Sequence, residues 1–321
     1  MQERKVWWNG NIINESDAKL SIFDEALMFG SCIFEMTRSF SNPHNQFKLE
    51  EHIDRLYNSA KYIHLEIPMS KLEMLEAIDE TINSNLDFIP DKDEHRILIN
   101  VTRGLLGIYD GNVNIPSGPN VIIADFPLRW TVNSMGHLFD LGINAVIPSQ
   151  RAIPSKLLEP KVKNRSRMHY LMANIEISKI EGNDNWALLL DEDGFVAEGT
   201  GNNFFIVKNS KVITPEGRNI LRGISREYIF ELCEELGIKC IEKNIEPYDV
   251  LTADEAFVTG TPFCMLPVTK LNGQEIGNGK MEEITSLLLQ KWSKNVGVDI
   301  IKQIQGYSKV ETGKGVTPYQ F

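Results

Sequence analysis

The 321-residue sequence is poor in cysteine and histidine, and neither residue forms a metal-binding or disulfide pattern. Its cysteines are Cys32, Cys233, Cys240 and Cys264, and no two of them form a CxxC pair. The six histidines include no HxxxH pair that would share one face of a helix. We therefore expect no metal site, and we interpret the cysteines as buried or incidental thiols rather than as a disulfide framework.

Positive charge and long apolar runs are also lacking. The formal net charge is −11, and the lysines and arginines do not cluster, so the surface repels a phosphodiester backbone. No segment approaches the roughly 20 apolar residues that cross a bilayer, and no apolar leader follows the N-terminal residues. These absences predict a cytoplasmic protein that binds neither nucleic acid nor a membrane.

Several well-known active-site motifs are missing as well. The sequence contains no Walker loop, no GxGxxG fingerprint, no GxSxG elbow and no HExxH pair. What remains is typical of a globular protein, with 42% hydrophobic and 24% charged residues and a length sufficient for two domains. The chemistry must therefore come from residues outside these motifs.

Hydrophobic periodicity predicts three helices and two buried strands. In residues 49–63 the apolar side chains recur at helical spacing and leave Arg55 off the apolar stripe. A second helix is expected near residues 71–84, and a third over residues 225–236, where Gly237 ends the pattern. The continuous apolar character of residues 96–101 and 121–124 indicates buried strands.

Tight turns predict antiparallel strands in both halves of the chain. Asn9-Gly10 is a hairpin signal, and short turns separate the apolar runs in residues 186–213. We predict an α+β protein with a small N-terminal α/β domain over residues 1–126. An interdomain linker over 127–136, which begins at a proline, and a larger β-rich domain over 137–321 complete the prediction.

Four segments, taken in order, resemble one enzyme family. They are residues 29–35 (FGSCIFE), 51–57 (EHIDRLY), 198–205 (EGTGNNFF) and 253–261 (ADEAFVTGT). The chain is similar, to about residue 280, to the class IV (fold-type IV) PLP-dependent aminotransferases. This family includes branched-chain aminotransferase, D-amino acid aminotransferase and aminodeoxychorismate lyase. The resemblance implies the two-domain fold-type IV architecture, pyridoxal 5'-phosphate (PLP) as cofactor, a homodimer, and a large domain that binds PLP.

The resemblance also implies which lysine carries PLP. The family places this lysine some thirty residues before the Glu-Gly motif, where Lys163 stands, and Lys161 and Lys156 are weaker candidates. The amine must form a Schiff base and later move protons, so it must be neutral for part of the cycle. A positively charged neighbourhood, here Arg165 or Arg167, would favour the neutral amine.

Further residues are implied as cofactor ligands. Glu198 matches the residue that faces the pyridine nitrogen, and a carboxylate there keeps that nitrogen protonated. Ile224 and Ser225 open a predicted helix whose N-terminus would bind the PLP phosphate. Arg55 would add a charged contact to the phosphate, and Thr261 would add a hydroxyl.

Some positions depart from the family pattern and leave the substrate open. Residues 164–170 (NRSRMHY) stand where branched-chain enzymes have Gly-Gly-Asn-Tyr, so the tyrosine that faces the PLP phenolic oxygen is not identified. Phe29 stands where those enzymes tend to have tyrosine, and Pro262 lacks the N–H that they use for substrate binding. Arg103 is a candidate for binding a substrate carboxylate, whereas no Pro-Arg-x-His motif supports D-amino acid specificity.

The predicted function is PLP-dependent transamination. The favoured substrates are a branched-chain or similar L-amino acid and a 2-oxo acid such as 2-oxoglutarate. Two alternatives remain open from the sequence. One is elimination of pyruvate, as in aminodeoxychorismate lyase, and the other is a PLP-binding protein without catalysis.

Overall fold

The computed structural model describes residues 3–90, 93–182 and 184–310 and divides the chain into two compact units. The first unit comprises the described residues up to Trp130 together with Val162–Arg167. The second comprises Thr131–Lys161 and the described residues from Met168 onward. Helices and sheets occur in both units, which confirms the predicted α+β class.

The first unit is built on a five-stranded antiparallel sheet with strand order β2-β1-β7-β6-β3. Its elements are β1 (Lys5–Trp8), β2 (Asn11–Asn14), α1 (Glu25–Phe29), β3 (Cys32–Met36), β4 (Ser39–Phe40), β5 (Asn42–Gln46), α2 (Leu49–Tyr62), α3 (Lys71–Asn83), β6 (His95–Thr102) and β7 (Asn120–Pro127). A short helix, α4 (Arg129–Val132), follows at the boundary between the units. Strands β4 and β5 form a separate two-stranded sheet.

The predicted elements of this unit are confirmed, with boundaries that move by one to three residues. Asn9 and Gly10 join β1 to β2 with φ angles of 46° and 91°, which is the left-handed conformation that the Asn-Gly turn signal requires. Helix α3 begins with a capping box in which Ser70 and Glu73 each bond to the other's backbone. Helix α2 buries the stripe that includes Ile53, Leu56 and Ala60.

The core of the first unit lies between α2, α3 and the sheet. Apolar side chains from both helices pack on strands β6 and β7, and each fully buried aliphatic side chain contributes about 1.5–3 kcal/mol. The fully buried members include Leu56, Met74, Ile97, Ile99 and Ile123. Val162 belongs to the same core, although it is distant in sequence.

The six residues 162–167 lie along the edge strand β3. Phe34 N–H donates to Lys163 O at 3.0 Å, and Arg165 N–H donates to Cys32 O at 2.8 Å. An isolated antiparallel bridge joins Ile33 to Asn164. Strand β3 would otherwise expose unpaired backbone groups at the sheet edge, so this segment satisfies them. Nothing in the sequence pattern predicted that this piece of residues 137–321 belongs to the first unit.

The second unit contains a closed ring of strands. Its elements are α5 (Leu138–Leu141), β8 (Ile143–Val146), α6 (Met168–Ile177), β9 (Asn185–Leu190), β10 (Val196–Gly199), β11 (Asn203–Lys208), β12 (Lys211–Thr214), α7 (Ile224–Leu236), β13 (Cys240–Glu242), α8 (Pro247–Leu251), β14 (Glu255–Gly260), β15 (Cys264–Leu271), β16 (Gln274–Glu275), α9 (Glu283–Val296) and α10 (Ile300–Val310). The strand order is β10-β9-β8-β15-β14-β11-β12-β13, and β16 pairs with β15. Strand β10 also pairs with β11 through Glu198 and Asn203, which closes a ring of six strands.

The antiparallel hairpins predicted for residues 186–213 are confirmed. Strands β9 and β10, β10 and β11, and β11 and β12 are each antiparallel pairs. The predicted helix over 225–236 is confirmed as α7, which begins one residue earlier and ends at Gly237 with a φ of 68°. Gly223 is the N-cap, so Ser225 lies in the first turn and is not the cap.

The boundary between the units falls after Trp130, inside the predicted linker 127–136. These residues do not form an extended linker, because Leu128, Val132 and Met135 are buried. The domain limits remain a prediction. Within the described ranges, every helix is too short or too polar to cross a membrane.

A pair of glycine substitutions tests the packing at the end of β6. Gly104 has a φ of 85°, and a Cβ there would lie 1.8 Å from Gly118 O, whereas a Cβ at Gly10, with a φ of 91°, would meet open space. We expect Gly104→Ala to cost about 3 kcal/mol from conformation and overlap together, and Gly10→Ala to cost about 1 kcal/mol from conformation alone. Thermal unfolding of the two variants measures the difference. Equal shifts in Tm would show that the Gly104 contact does not matter.

Candidate functional site

Lys163 is held by backbone contacts in the first unit, and its side chain reaches an aromatic ring. Its carbonyl accepts from Phe34 N–H, and its own N–H donates to Ser59 Oγ on α2 at 3.3 Å. The Nζ atom lies 4.7 Å from the centroid of the Phe34 ring. A cation at this distance from a ring is attracted to its face. The amine therefore has a defined place beside Phe34.

Two arginines share the same ring. The Cζ atoms of Arg165 and Arg167 lie 3.7 Å and 5.6 Å from the Phe34 centroid. The predicted positive neighbourhood of Lys163 is therefore present, and it contains both of the arginines that the sequence offered as alternatives.

A buried ionic cluster lies on the opposite side of β3, toward α2. Arg55 binds Glu35 through both ends of the carboxylate, with Nε to Oε1 at 2.6 Å and Nη2 to Oε2 at 2.8 Å. His52 Nδ1 lies 2.7 Å from Glu35 Oε2. Glu35 and His52 are almost fully buried. A two-point contact of this kind fixes the orientation of the planar guanidinium.

The charges in this cluster are set by competing effects. Burial alone would raise the pKa of Glu35, but the Arg55 charge and the hydrogen bonds from Arg55 and His52 outweigh it, so the pKa falls well below its usual range. Burial, together with the charges of Arg55 and Lys163, lowers the pKa of His52 although Glu35 opposes this. At neutral pH Glu35 is thus a carboxylate and His52 a neutral ring whose Nδ1–H donates to it.

Phe29 and Arg103 also lie in the first unit, at the surface. Phe29 is the last residue of α1 and is 67% exposed. Arg103 donates to the carbonyls of Ile63 and His64, at 2.5 Å and 2.8 Å, and pairs with Glu25 at 3.2 Å. These contacts give Arg103 a role at the C-terminal end of α2. Its predicted contact with a substrate carboxylate stays a prediction.

Glu198 is the centre of the predicted cofactor residues in the second unit. The buried carboxylate accepts from Tyr170 Oη at 2.8 Å on Oε1, and from Asn203 Nδ2 and Leu221 N–H at 3.1 Å each on Oε2. Hydrogen bonds to a charged acceptor are stronger than those between neutral groups. The carboxylate is therefore held in a single orientation.

Asn203 connects Glu198 to the start of α7. Its amide also donates to Leu221 O at 2.9 Å, and its Oδ1 would lie 2.1 Å from a Cβ added to Gly223. Because only glycine permits this approach, the N-cap of α7 has no side chain that could bond to the first turn. Ile224 and Ser225 follow directly, so this uncapped turn can present N–H groups and the positive end of the helix dipole to an anion.

Thr261 and Pro262 lie in the turn after β14, directly beyond the end of that strand. Cross-strand pairs place Glu198, Asn203 and Thr259 in register on β10, β11 and β14. The buried Thr259 Oγ1 has no hydrogen-bond partner among the described residues. Thr261, two residues further on, is half-buried. Glu198, Ile224, Ser225 and Thr261 are thus brought to one end of the second unit.

These residues fit PLP, an anionic cofactor with a basic ring nitrogen. Glu198 offers a fixed carboxylate for that nitrogen, and the glycine-capped start of α7 leaves room for a phosphate that a Cβ would restrict. In the first unit, taken by itself, Lys163 offers an amine of the kind that binds PLP. Within the described ranges, no three His, Cys, Asp or Glu residues form a group that could hold a metal ion.

Several supporting residues were not identified from the sequence. Glu35, His52 and Asn203 lie inside the segments that carry the family resemblance, and all three are buried in the structure. Their presence as polar residues in those segments was the only sign in the sequence that they support the site. Tyr170 was seen only as an unplaced tyrosine, and Phe34 only as part of a motif. The hydrogen bond from Leu221 N–H to Glu198 comes from the backbone, so the identity of residue 221 could not have predicted it.

Comparisons with known proteins agree with this arrangement. The family model for amino-transferase class IV matches residues 32–271, which is more than half of the chain. A putative branched-chain-amino-acid aminotransferase of Methanocaldococcus jannaschii is 38% identical over 291 residues, covering 90% of this chain and 95% of the relative.

Solved structures are similar over most of the chain as well. The T.th. branched-chain amino acid aminotransferase with pyridoxamine 5'-phosphate superposes with a TM-score of 0.81 at 27% identity, covering 92% of this chain and 95% of that one. The same enzyme complexed with N-(5'-phosphopyridoxyl)-L-glutamate gives a TM-score of 0.80 at the same identity and coverage.

Replacement of Glu35 tests the ionic cluster. Glu35→Gln leaves Arg55 buried without its carboxylate, and we expect a loss of roughly 3–5 kcal/mol in the free energy of unfolding at pH 7. Because the folded-state pKa of Glu35 is depressed, its contribution is complete above the ordinary value of 4.5 and is lost progressively as the pH falls from there through the depressed folded-state pKa. Urea denaturation at pH 7 and at pH 3 measures this.

The matched control is Glu51→Gln on the surface of α2, whose exposed pair with Lys48 should contribute little at either pH. A Glu35→Gln penalty that stayed the same at pH 3, or that matched the control, would contradict the assigned charge of Glu35.

Proposed function

Because the chain belongs to the class IV aminotransferases and is therefore a PLP-dependent enzyme, we propose that it transfers the amino group of a branched-chain or similar L-amino acid to 2-oxoglutarate. The observation that carries the proposal is the pair of prepared groups, the amine of Lys163 on the Phe34 ring and the fixed carboxylate of Glu198. The branched-chain relatives support the amino donor. A relative complexed with a glutamate derivative supports the acceptor.

Each half-reaction requires a base that moves one proton. We assign this role to Lys163 Nζ, which would take the proton from the substrate Cα and deliver it to C4′ of the cofactor. The cations of Arg165 and Arg167 on the same ring disfavour a further positive charge there, so they favour the neutral amine that the step needs. The two other candidate lysines already form ion pairs, Lys161 with Glu159 at 2.5 Å and Lys156 with Glu192 at 2.7 Å.

The remaining residues hold the cofactor in our proposal. When bound, PLP supplies an electron-accepting ring for the electrons that the departing Cα proton leaves behind. Glu198 would keep the proton on the ring nitrogen, because Tyr170, Asn203 and Leu221 N–H fix the carboxylate.

The phosphate would be bound by the N–H groups of Ile224 and Ser225, by Arg55 and by the Thr261 hydroxyl. Support for Arg55 comes from Glu35, which holds the guanidinium in one orientation. Phe29 and Pro262 stay proposed as substrate contacts.

We also propose a homodimer in the cytoplasm. Apolar side chains on α1 are exposed, among them Leu27 and Phe29 at 67% each, and association with a second copy would bury such residues. The four cysteines are free thiols, which suits a reducing compartment.

Replacement of Lys163 tests the function. We expect Lys163→Ala to lose transamination by on the order of 10²- to 10⁴-fold and to lose the visible absorption of lysine-bound PLP, because no other amine takes its place. Lys161→Ala is the matched control and should keep both. Absorption spectra before and after addition of L-leucine, L-glutamate and D-amino acids identify the donor.

An alternative outcome would point to the lyase. If the wild-type protein binds PLP through Lys163 but ignores every amino acid and instead releases pyruvate from aminodeoxychorismate, the proposed transamination is wrong. If the spectrum of Lys163→Ala equals that of the wild type, the assignment of the lysine is wrong.

A further inference from the structure

Arg165 is a cation whose described contacts contain no carboxylate. Its Nε and Nη2 atoms both donate to Asn100 Oδ1, at 3.1 Å and 2.9 Å, and its guanidinium lies over Phe34 with Cζ 3.7 Å from the ring centroid. No acidic side chain within the described ranges forms an ion pair with it. The side chain is thus oriented by a neutral amide and a ring.

The sheet builds the platform on which this guanidinium rests. Phe34 on β3 and Asn100 on β6 are registered partners, so their side chains project from the same face of the sheet. The backbone of Arg165 is bonded to Cys32 O on the same edge strand. Both the backbone and the head group of Arg165 are therefore fixed, and a guanidinium held in place loses little freedom when it binds a ligand.

The electrostatics of the platform favour an anion. Arg165 and Arg167 place two guanidinium groups around one ring, with Cζ atoms 3.7 and 5.6 Å from its centroid, and the Lys163 amine lies 4.7 Å from the same centroid. Burial and, to a smaller extent, the Arg167 charge lower the pKa of Arg165, although the Cys32 thiol opposes this, so a neighbouring anion would favour its charged form. A carboxylate at the guanidinium edge would relieve this repulsion through a charge-assisted contact.

The position of Arg165 also suits a site that must accept two kinds of side chain. An enzyme that exchanges a branched-chain amino acid for a dicarboxylic one has to accept an apolar and a charged group at one place. The aliphatic stem of the exposed Arg165 offers apolar contact, while the edge of its guanidinium offers a carboxylate site.

We propose that Arg165 determines specificity for dicarboxylic substrates, by binding the second carboxylate of the 2-oxo acid acceptor and of the amino acid formed from it. This inference rests on the proposed transamination, in which one substrate is dicarboxylic and the other is not. The proposal concerns the second carboxylate alone, because both substrates carry an α-carboxylate.

The test compares Arg165→Gln and Arg165→Lys with the wild-type holoenzyme on two acceptors, 2-oxoglutarate and 4-methyl-2-oxopentanoate. Loss of a charged hydrogen-bonding partner should lower kcat/KM for 2-oxoglutarate by about 10- to 100-fold, mainly through KM. The value for 4-methyl-2-oxopentanoate should fall much less, by only the loss that both acceptors share through Lys163, so the ratio of the two values should change by about 10-fold or more, because an apolar side chain forms no such bond. Arg165→Lys, which keeps the charge, should recover part of the loss.

Lys161→Gln is the matched control. It removes one positive charge two residues before Lys163 and should leave the ratio of the two acceptors unchanged. Equal losses for both acceptors in Arg165→Gln would overturn the proposal, since they would indicate contact with the α-carboxylate or a structural role. An unchanged ratio would overturn it as well.

A binding measurement separates this inference from the proposed function. Calorimetry with glutarate and with 4-methylpentanoate, which cannot react, should show that Arg165→Gln weakens glutarate binding by a similar factor and leaves 4-methylpentanoate binding unchanged. If the wild type transaminates neither acceptor but binds glutarate through Arg165, the proposed function fails and the specificity role stands. If glutarate binding does not depend on Arg165, the specificity role fails even where transamination is observed.

Discussion

The backbone pairing of residues 162–167 with the edge strand β3 is the constraint on which the first half of the candidate site depends. Lys163 lies far from β3 in sequence, and the bonds between Phe34 and Lys163 and between Arg165 and Cys32 fix it beside the sheet. The same strand presents Phe34 to the cations on one side and Glu35 to Arg55 and His52 on the other. Because neighbouring residues of a strand point to opposite faces, one short strand orders both sets of charges.

In the second unit, the arrangement of the candidate site depends on a pair of polar side chains, Glu198 and Asn203. Glu198 and Asn203 are the registered residues through which β10 meets β11, and the same two side chains are hydrogen-bonded to each other. Asn203 extends the contact to Leu221 and to the glycine at the start of α7. The closure of the strand ring, the orientation of the carboxylate and the shape of the helix N-terminus therefore depend on one asparagine.

Much of the fold could be predicted because local signals agree with the structure. The Asn9-Gly10 turn, the stripe on α2 and the glycine after α7 each reflect a local physical preference, and each element lies where the pattern predicted it. The placement of residues 162–167 in the first unit could not be predicted, since it depends on hydrogen bonds between segments more than a hundred residues apart. Periodicity carries no information about such pairing.

The candidate site divides in the same way. The family resemblance identified Lys163, Glu198, Arg55 and the start of α7 as candidates. The groups that orient them, such as Phe34, Glu35 and Asn203, were identified only from the structure. Arg165 and Arg167 were considered as neighbours of the lysine, but the Phe34 ring, beside which the lysine amine and both guanidinium groups lie, was not. For Arg103, the sequence suggested a substrate contact, which stays a prediction, but it gave no sign of the hydrogen bonds from its guanidinium to the end of α2.

The way in which Lys163 is held has a consequence for how such an enzyme can diversify. Main-chain hydrogen bonds do not depend on side-chain identity, so the residues after the lysine can be exchanged while the reactive amine keeps its place. If Arg165 binds a substrate carboxylate as proposed, substitutions in residues 164–167 can change substrate recognition while the backbone of Lys163 stays in place. The position of the reactive amine then depends on main-chain bonds, and the choice of substrate depends on neighbouring side chains.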